Sequence, residues 1–135
     1  MQVHIHYTAV IVAAVIQFII GGLWYSPILF AKKWIALNNL NPETAPKGNM
    51  PLQFGSALIA ALISSHALAC IISLSATTTV LSGVSIGFLC WLGFTGVPTF
   101  TTSLFSRKPI KLWMIDDGYY MLSFMISGGI LAAWQ

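Results

Sequence analysis

The sequence predicts an all-α membrane protein of four transmembrane helices, and three observations lead there. First, only nine of 135 residues carry a formal charge, six basic and three acidic, while 57% are hydrophobic and the mean hydropathy is +0.83. A soluble domain of this size exposes far more charge, about a quarter of its residues. Second, the apolar residues fall into four runs, near 7–30, 52–76, 80–105 and 110–134. Each is long enough to cross a hydrocarbon layer of about 30 Å. Third, all the bases fall in the first and third connections: Lys32, Lys33 and Lys47, then Arg107, Lys108 and Lys111.

The first run has no basic residues ahead of it and no small-residue cleavage site after it, so it is expected to remain as a helix. It ends in "GLWYSPILFAKKW", where Pro27 is expected to kink the helix by removing a backbone donor. The following "AKKWIALNNL" reads either as an extension of this helix or as a short amphipathic piece on the inner surface, the second slightly favoured. The second run carries small residues at a spacing of four: Ala57, Ala61, Ser65, Ala69 and Ser73. Such a face lets helix backbones approach closely in lipid. The third run holds Pro98, a second expected kink, and the fourth holds adjacent acids, Asp116 and Asp117.

The distribution of bases sets an orientation. In a four-span chain the first and third connections share a side, and that side is cytoplasmic by the positive-inside rule. Segments 31–51 and 106–111 are therefore expected inside and both termini outside, in a single domain covering 1–135 of the cell's inner membrane. Tyr7 and Trp134 at one level, and Trp34 and Trp113 at the other, agree with interfacial belts. The net charge of +3 then reflects topology, and nothing suggests nucleic acid as a partner.

The end of the first run and the end of the third share a pattern. Gly22 and Pro27 match Gly93 and Pro98, and Phe30-Ala31-Lys32-Lys33 matches Phe105-Ser106-Arg107-Lys108 after a four-residue insertion. Two readings stand side by side: two repeated helical hairpins related by an axis along the membrane normal, and chance similarity between Gly- and Pro-bearing helices.

Chemistry has few carriers. Asp116 lies roughly two turns, about 10 Å, into the fourth helix, on a face shared with Trp113, Tyr120 and more loosely Tyr119. A charged group there is costly. Its readings are a register-fixing hydrogen-bond acceptor, a proton- or cation-handling carboxylate in a cavity, or part of a hydrolytic site. His66 could partner it as a proton relay, although the two differ in depth; a neutral imidazole bonded to a backbone carbonyl is the ordinary reading. Gln17 reads as an interhelical hydrogen-bonding group. His4 and His6 make no persuasive metal site, and Cys70 and Cys90 read as small buried hydrophobes. No HExxH, GxSxG, P-loop or paired-Cys motif occurs, so no catalytic residue, metal or cofactor is expected.

The stretches "GGLWYSPILFAKKW" and "LWMIDDGYYMLSFMISGGILAAW" resemble the small bacterial membrane-protein family called domain of unknown function 1761. The matching positions are Gly22, Trp24, Tyr25, Ser26, Pro27, Phe30, Lys32 and Trp34, then Leu112, Ile115, Asp116, Gly118 and Tyr119. Ala31 stands where relatives often have Gly. The resemblance implies the four-span architecture, implies no activity, and singles out Asp116 rather than Asp117. The function expected first is a non-enzymatic oligomeric or accessory scaffold subunit of a membrane complex. Its contact surfaces would be the small-residue faces and the Trp24–Pro27 segment, and its partners lipid, further copies or other integral subunits. The alternative is a small-molecule or proton-coupled transporter working as a homo-oligomer, with Asp116, Tyr120 and His66 lining a cavity. An intramembrane enzyme ranks third.

Overall fold

The computed structural model describes residues 3–135 and is all-helical, with no strand among them. Six α-helices follow one another: α1 Tyr7–Trp24, α2 Ala31–Leu37, α3 Met50–Leu74, α4 Val80–Trp91, α5 Val97–Phe105 and α6 Ile110–Ala133. Among the described residues, three helical stretches are long and apolar enough to span a membrane: α1, α3, and the continuous helix from Val80 to Phe105. α6 has 24 residues but is less apolar, because it carries Lys111, Asp116 and Asp117.

The helix ends differ from expectation at one place. α1 stops at Trp24 instead of running to residue 30, so Pro27 lies in the turns between α1 and α2 and kinks no helix. The residue before a proline resists helical geometry, and the Ser26 N–H and hydroxyl both donate to the Leu23 carbonyl, at 3.2 and 2.6 Å, closing the helix end. Segment 31–37 is therefore a helix of its own. Pro98 is accommodated differently. The turn before it, Leu92–Gly96, is π-helical, and the wider ring lets a proline enter a continuing helix while its missing N–H is tolerated.

Packing follows residue size. The inward face of α1 buries Ala9, Val10, Ala13, Ala14 and Gln17, while Ile11, Val15, Ile19 and Leu23 point outward at a spacing of four. An apolar outer face of this kind suits lipid. The largest helix–helix contact joins α4 to α6, where glycines bring backbone against backbone. A Cβ on Gly83 would sit 2.2 Å from the Gly128 carbonyl oxygen, and one on Gly87 would sit 2.2 Å from that of Phe124. α6 also contacts α1, α3 and α5, and so forms the spine of the bundle. α3 is buried only in its later part, at Ala61, Ser65, Leu68, Ala69 and Ile72; Met50–Ala60 is exposed throughout, Ala57 included.

A paired-aspartate vestibule as the candidate functional site

The polar residues of the helices divide into three separate places. In the middle of the bundle, Gln17 Nε2 donates to Ser65 Oγ and to Ser127 Oγ, both at 2.9 Å, and Ser64 Oγ donates to Gln17 Oε1 at 3.2 Å. This knot joins α1, α3 and α6 and is closed to solvent, with Ser65 and Ser127 fully buried. Tyr119 belongs with it: its hydroxyl donates to the Gln17 carbonyl at 3.3 Å, and Gly21 leaves the space that admits its ring.

His66 is elsewhere. It lies on an exposed face of α3, stacked on Tyr7 with centroids 6.2 Å apart, and its Nε2 is 3.8 Å from Cys70 Sγ. The expected grouping of His66 with Asp116 is not what the fold builds, because that side of α3 turns away from α6. Cys70 is partly exposed and Cys90 buried, both free thiols, and no metal-binding cluster forms among the described residues.

The two aspartates form the third place. Asp116 Oδ1 accepts from the Tyr25 hydroxyl at 2.8 Å and from Trp34 Nε1 at 3.0 Å. Asp117 is almost fully buried, at 3% exposure, and its Oδ1 accepts from Thr99 Oγ1 at 2.7 Å. Trp113 Nε1 donates to the same Thr99 oxygen at 3.1 Å. Trp91 neighbours Asp117 as well, and its buried Nε1 has no partner at hydrogen-bond geometry. Adjacent helical positions diverge by about 100°, so one carboxylate reaches toward α1 and α2 and the other toward α5. Those are the two stretches that share the Gly–Pro–Phe pattern. Asp116 is held by the first, through Tyr25 and Trp34, and Asp117 by the second, through Thr99. The local backbones differ all the same, a helix end in one and a π-turn in the other.

Supporting contacts fix this end of α6. Trp24 Nε1 donates to the Ile115 carbonyl at 2.8 Å, and Gly118 lets the Trp24 ring approach, since a Cβ there would lie 3.2 Å from it. Tyr25 packs edge-on against Trp34 and Tyr119. Between these walls lies a vestibule of about 450 Å³ lined by Tyr25, Thr99, Thr102, Lys108, Asp116, Asp117 and Tyr120. Every hydrogen bond described to the carboxylates comes from a neutral phenol, indole or hydroxyl, which leaves each carboxylate free to meet a cation or exchange a proton.

Sequence reading placed Asp116 and Tyr120 at a polar site and Tyr25 at a contact surface, and missed the parts played by Asp117, Thr99 and Trp34. Both adjacent acids are enclosed because α6, as the spine, has inward faces on two sides. Trp24 and Tyr25 make their contacts within the fold, to α6, whereas Gly22, Pro27 and Pro98 are exposed, and nothing lies within 4 Å of a Cβ placed on Gly22.

Comparison with known proteins gives one positive result. No curated protein and no solved structure matches the chain. The family model described as "Protein of unknown function (DUF1761)" matches residues 8–132, nearly the whole length, and the chain belongs to that family.

Proposed function

We propose that the protein is a non-enzymatic inner-membrane protein of four spans whose vestibule takes up a proton or a small cationic solute from the cytoplasmic side, as the entry to a transport path. One observation carries this reading: two carboxylates, two phenols and two threonine hydroxyls face a single cavity of about 450 Å³, with Lys108 the one base against two acids. Intramembrane carboxylates on a water-filled cavity are the usual means of handling protons and cations in lipid. The lining contains no histidine, cysteine or serine, so it suits exchange of a cation better than nucleophilic chemistry.

The four-span topology draws support from α6. Its 24 residues reach about 36 Å, and its charges lie in the first two turns, near one end of the span. Lys33 and Lys111 line one groove, which favours a shared, cytoplasmic side for segments 31–51 and 106–111 and external termini. The π-turn ahead of Pro98 supports an irregular span beside the vestibule.

Residues once available for assembly are mostly spent inside the fold: Ala61, Ser65 and Ala69 are buried, as are Gly83, Gly87 and Gly128. A second reading, an oligomeric or accessory subunit, keeps one supporting feature. The exposed first half of α3 presents Gly55, Ser56, Ala57 and Ala60, a small-residue face of the kind that associates in lipid.

The test is ion flux in liposomes containing the purified protein and a pH-reporting dye, with proton and monovalent-cation gradients imposed in turn. The transport reading expects flux above that of empty liposomes, lost in Asp116→Asn and Asp117→Asn. Flux unchanged in both variants, or none from the parent protein, would overturn it. A reproducible co-purifying subunit that Ala57→Trp releases would favour the second reading.

A further inference from the structure

α6 has a second groove on its far side. At about 100° per residue, Asp116, Asp117 and Tyr120 share one side of the helix, and Lys111, Ile115, Gly118 and Leu122 point the opposite way. These four, with Met114 and Met121, make one wall of a trough of about 730 Å³; Trp24, Phe30, Ala36 and Leu37 make the other, and Lys33 joins Lys111 at its rim. The two lysines are the only charged residues in the lining. No residue of α3 closes the trough, in keeping with the exposure of Met50–Ala60.

We propose that this trough seats one anionic phospholipid of the cytoplasmic leaflet, its phosphate between Lys33 and Lys111 and an acyl chain along Met114, Gly118 and Leu122. The dimensions agree. From position 111 to 122 the helix rises about 16 Å, close to the depth of one leaflet of a hydrocarbon core about 30 Å thick. Charge agrees as well, since positive groups meet the trough only at its headgroup end, where basic pockets between helices hold anionic headgroups. A soluble anion would match the lysines but not the apolar floor, and a neutral chain would match the floor but leave the lysines unpaired. Gly118 keeps that floor low, because a side chain there would compete with the Trp24 ring. This site is independent of the vestibule and stands whatever the vestibule binds.

The test incorporates the full-length protein into vesicles of equal phosphatidylglycerol and phosphatidylethanolamine, releases it gently and counts retained lipids by native mass spectrometry. The parent protein retains phosphatidylglycerol in preference. The Lys33→Gln/Lys111→Gln variant loses that preference roughly tenfold; the charge-matched Lys32→Gln/Lys47→Gln variant and the charge-keeping Lys33→Arg/Lys111→Arg variant retain it. Equal retention of the two lipids by the parent protein, or equal loss in the two glutamine variants, would overturn the proposal.

Discussion

Replacing glycine by alanine at different points of the bundle should produce stability changes of opposite sign. At Gly83 and Gly87 in α4 and Gly128 in α6 the new Cβ falls 2.2 Å from a backbone carbonyl oxygen, against 3.4–4 Å for ordinary contact. The obstructing atom belongs to a helix backbone, so no rotamer change relieves it, and α4 must move away from α6 by roughly 1 Å. A gap of that size forfeits a quarter to a half of the local dispersion energy. With the strain of overpacking, the expected cost is about 2–3 kcal/mol per site. At Gly55 in α3 nothing lies within 4 Å of the added Cβ, and there alanine gains about 0.5–1 kcal/mol through its higher helix propensity. Unfolding in detergent titrations followed by tryptophan fluorescence measures both, with Trp91 reporting from α4 and Trp113 from α6. Gly83→Ala and Gly55→Ala variants of equal stability would refute the close packing of α4 on α6.

Three further outcomes follow from the polar contacts. Gln17→Leu should cost about 1–2 kcal/mol in the same assay, since it strips hydrogen bonds from buried Ser65 and Ser127 and interhelical bonds in lipid are worth roughly 0.6 kcal/mol each, with a penalty for those left unpaired. A double-mutant cycle between Tyr25→Phe and Asp116→Asn should show coupling of about 1 kcal/mol or more, whereas Tyr25→Phe with Asp117→Asn should be nearly additive, because the carboxylates are held by different segments. His66→Ala should leave both stability and any ion flux within error of the parent protein, since the imidazole faces away from the vestibule.

The helices were largely legible because apolar length encodes them directly: α3, α4–α5 and α6 lie within two residues of the expected runs. The end of α1 was not, because hydropathy continues through Ile28, Leu29 and Phe30 while the stop depends on Pro27 and on the Ser26 hydroxyl. The vestibule was half legible. Asp116 stood out as a rare charge, and Tyr120 followed from helical spacing. Thr99 could not be placed the same way, since the π-turn at Leu92–Gly96 adds a residue to one turn and rotates everything after it by about 100° relative to a regular helix. His66 shows the converse: a polar residue in an apolar run reads as internal, but which way α3 turns is decided by its small face, Ala61, Ser65 and Ala69, packing on α1. Adjacent aspartates, about 100° apart on the helix, do not share one buried face, but both fit a helix walled on two sides.

The proposed vestibule would admit water to the two carboxylates from the cytoplasmic side. It is tested most directly by the Thr102→Cys variant, treated with a membrane-impermeant thiol reagent in oriented vesicles, with the parent protein measuring background from Cys70 and Cys90. Rapid labelling is expected in inverted vesicles and none in right-side-out ones. Labelling from the outer face, or the background rate from both, would contradict it.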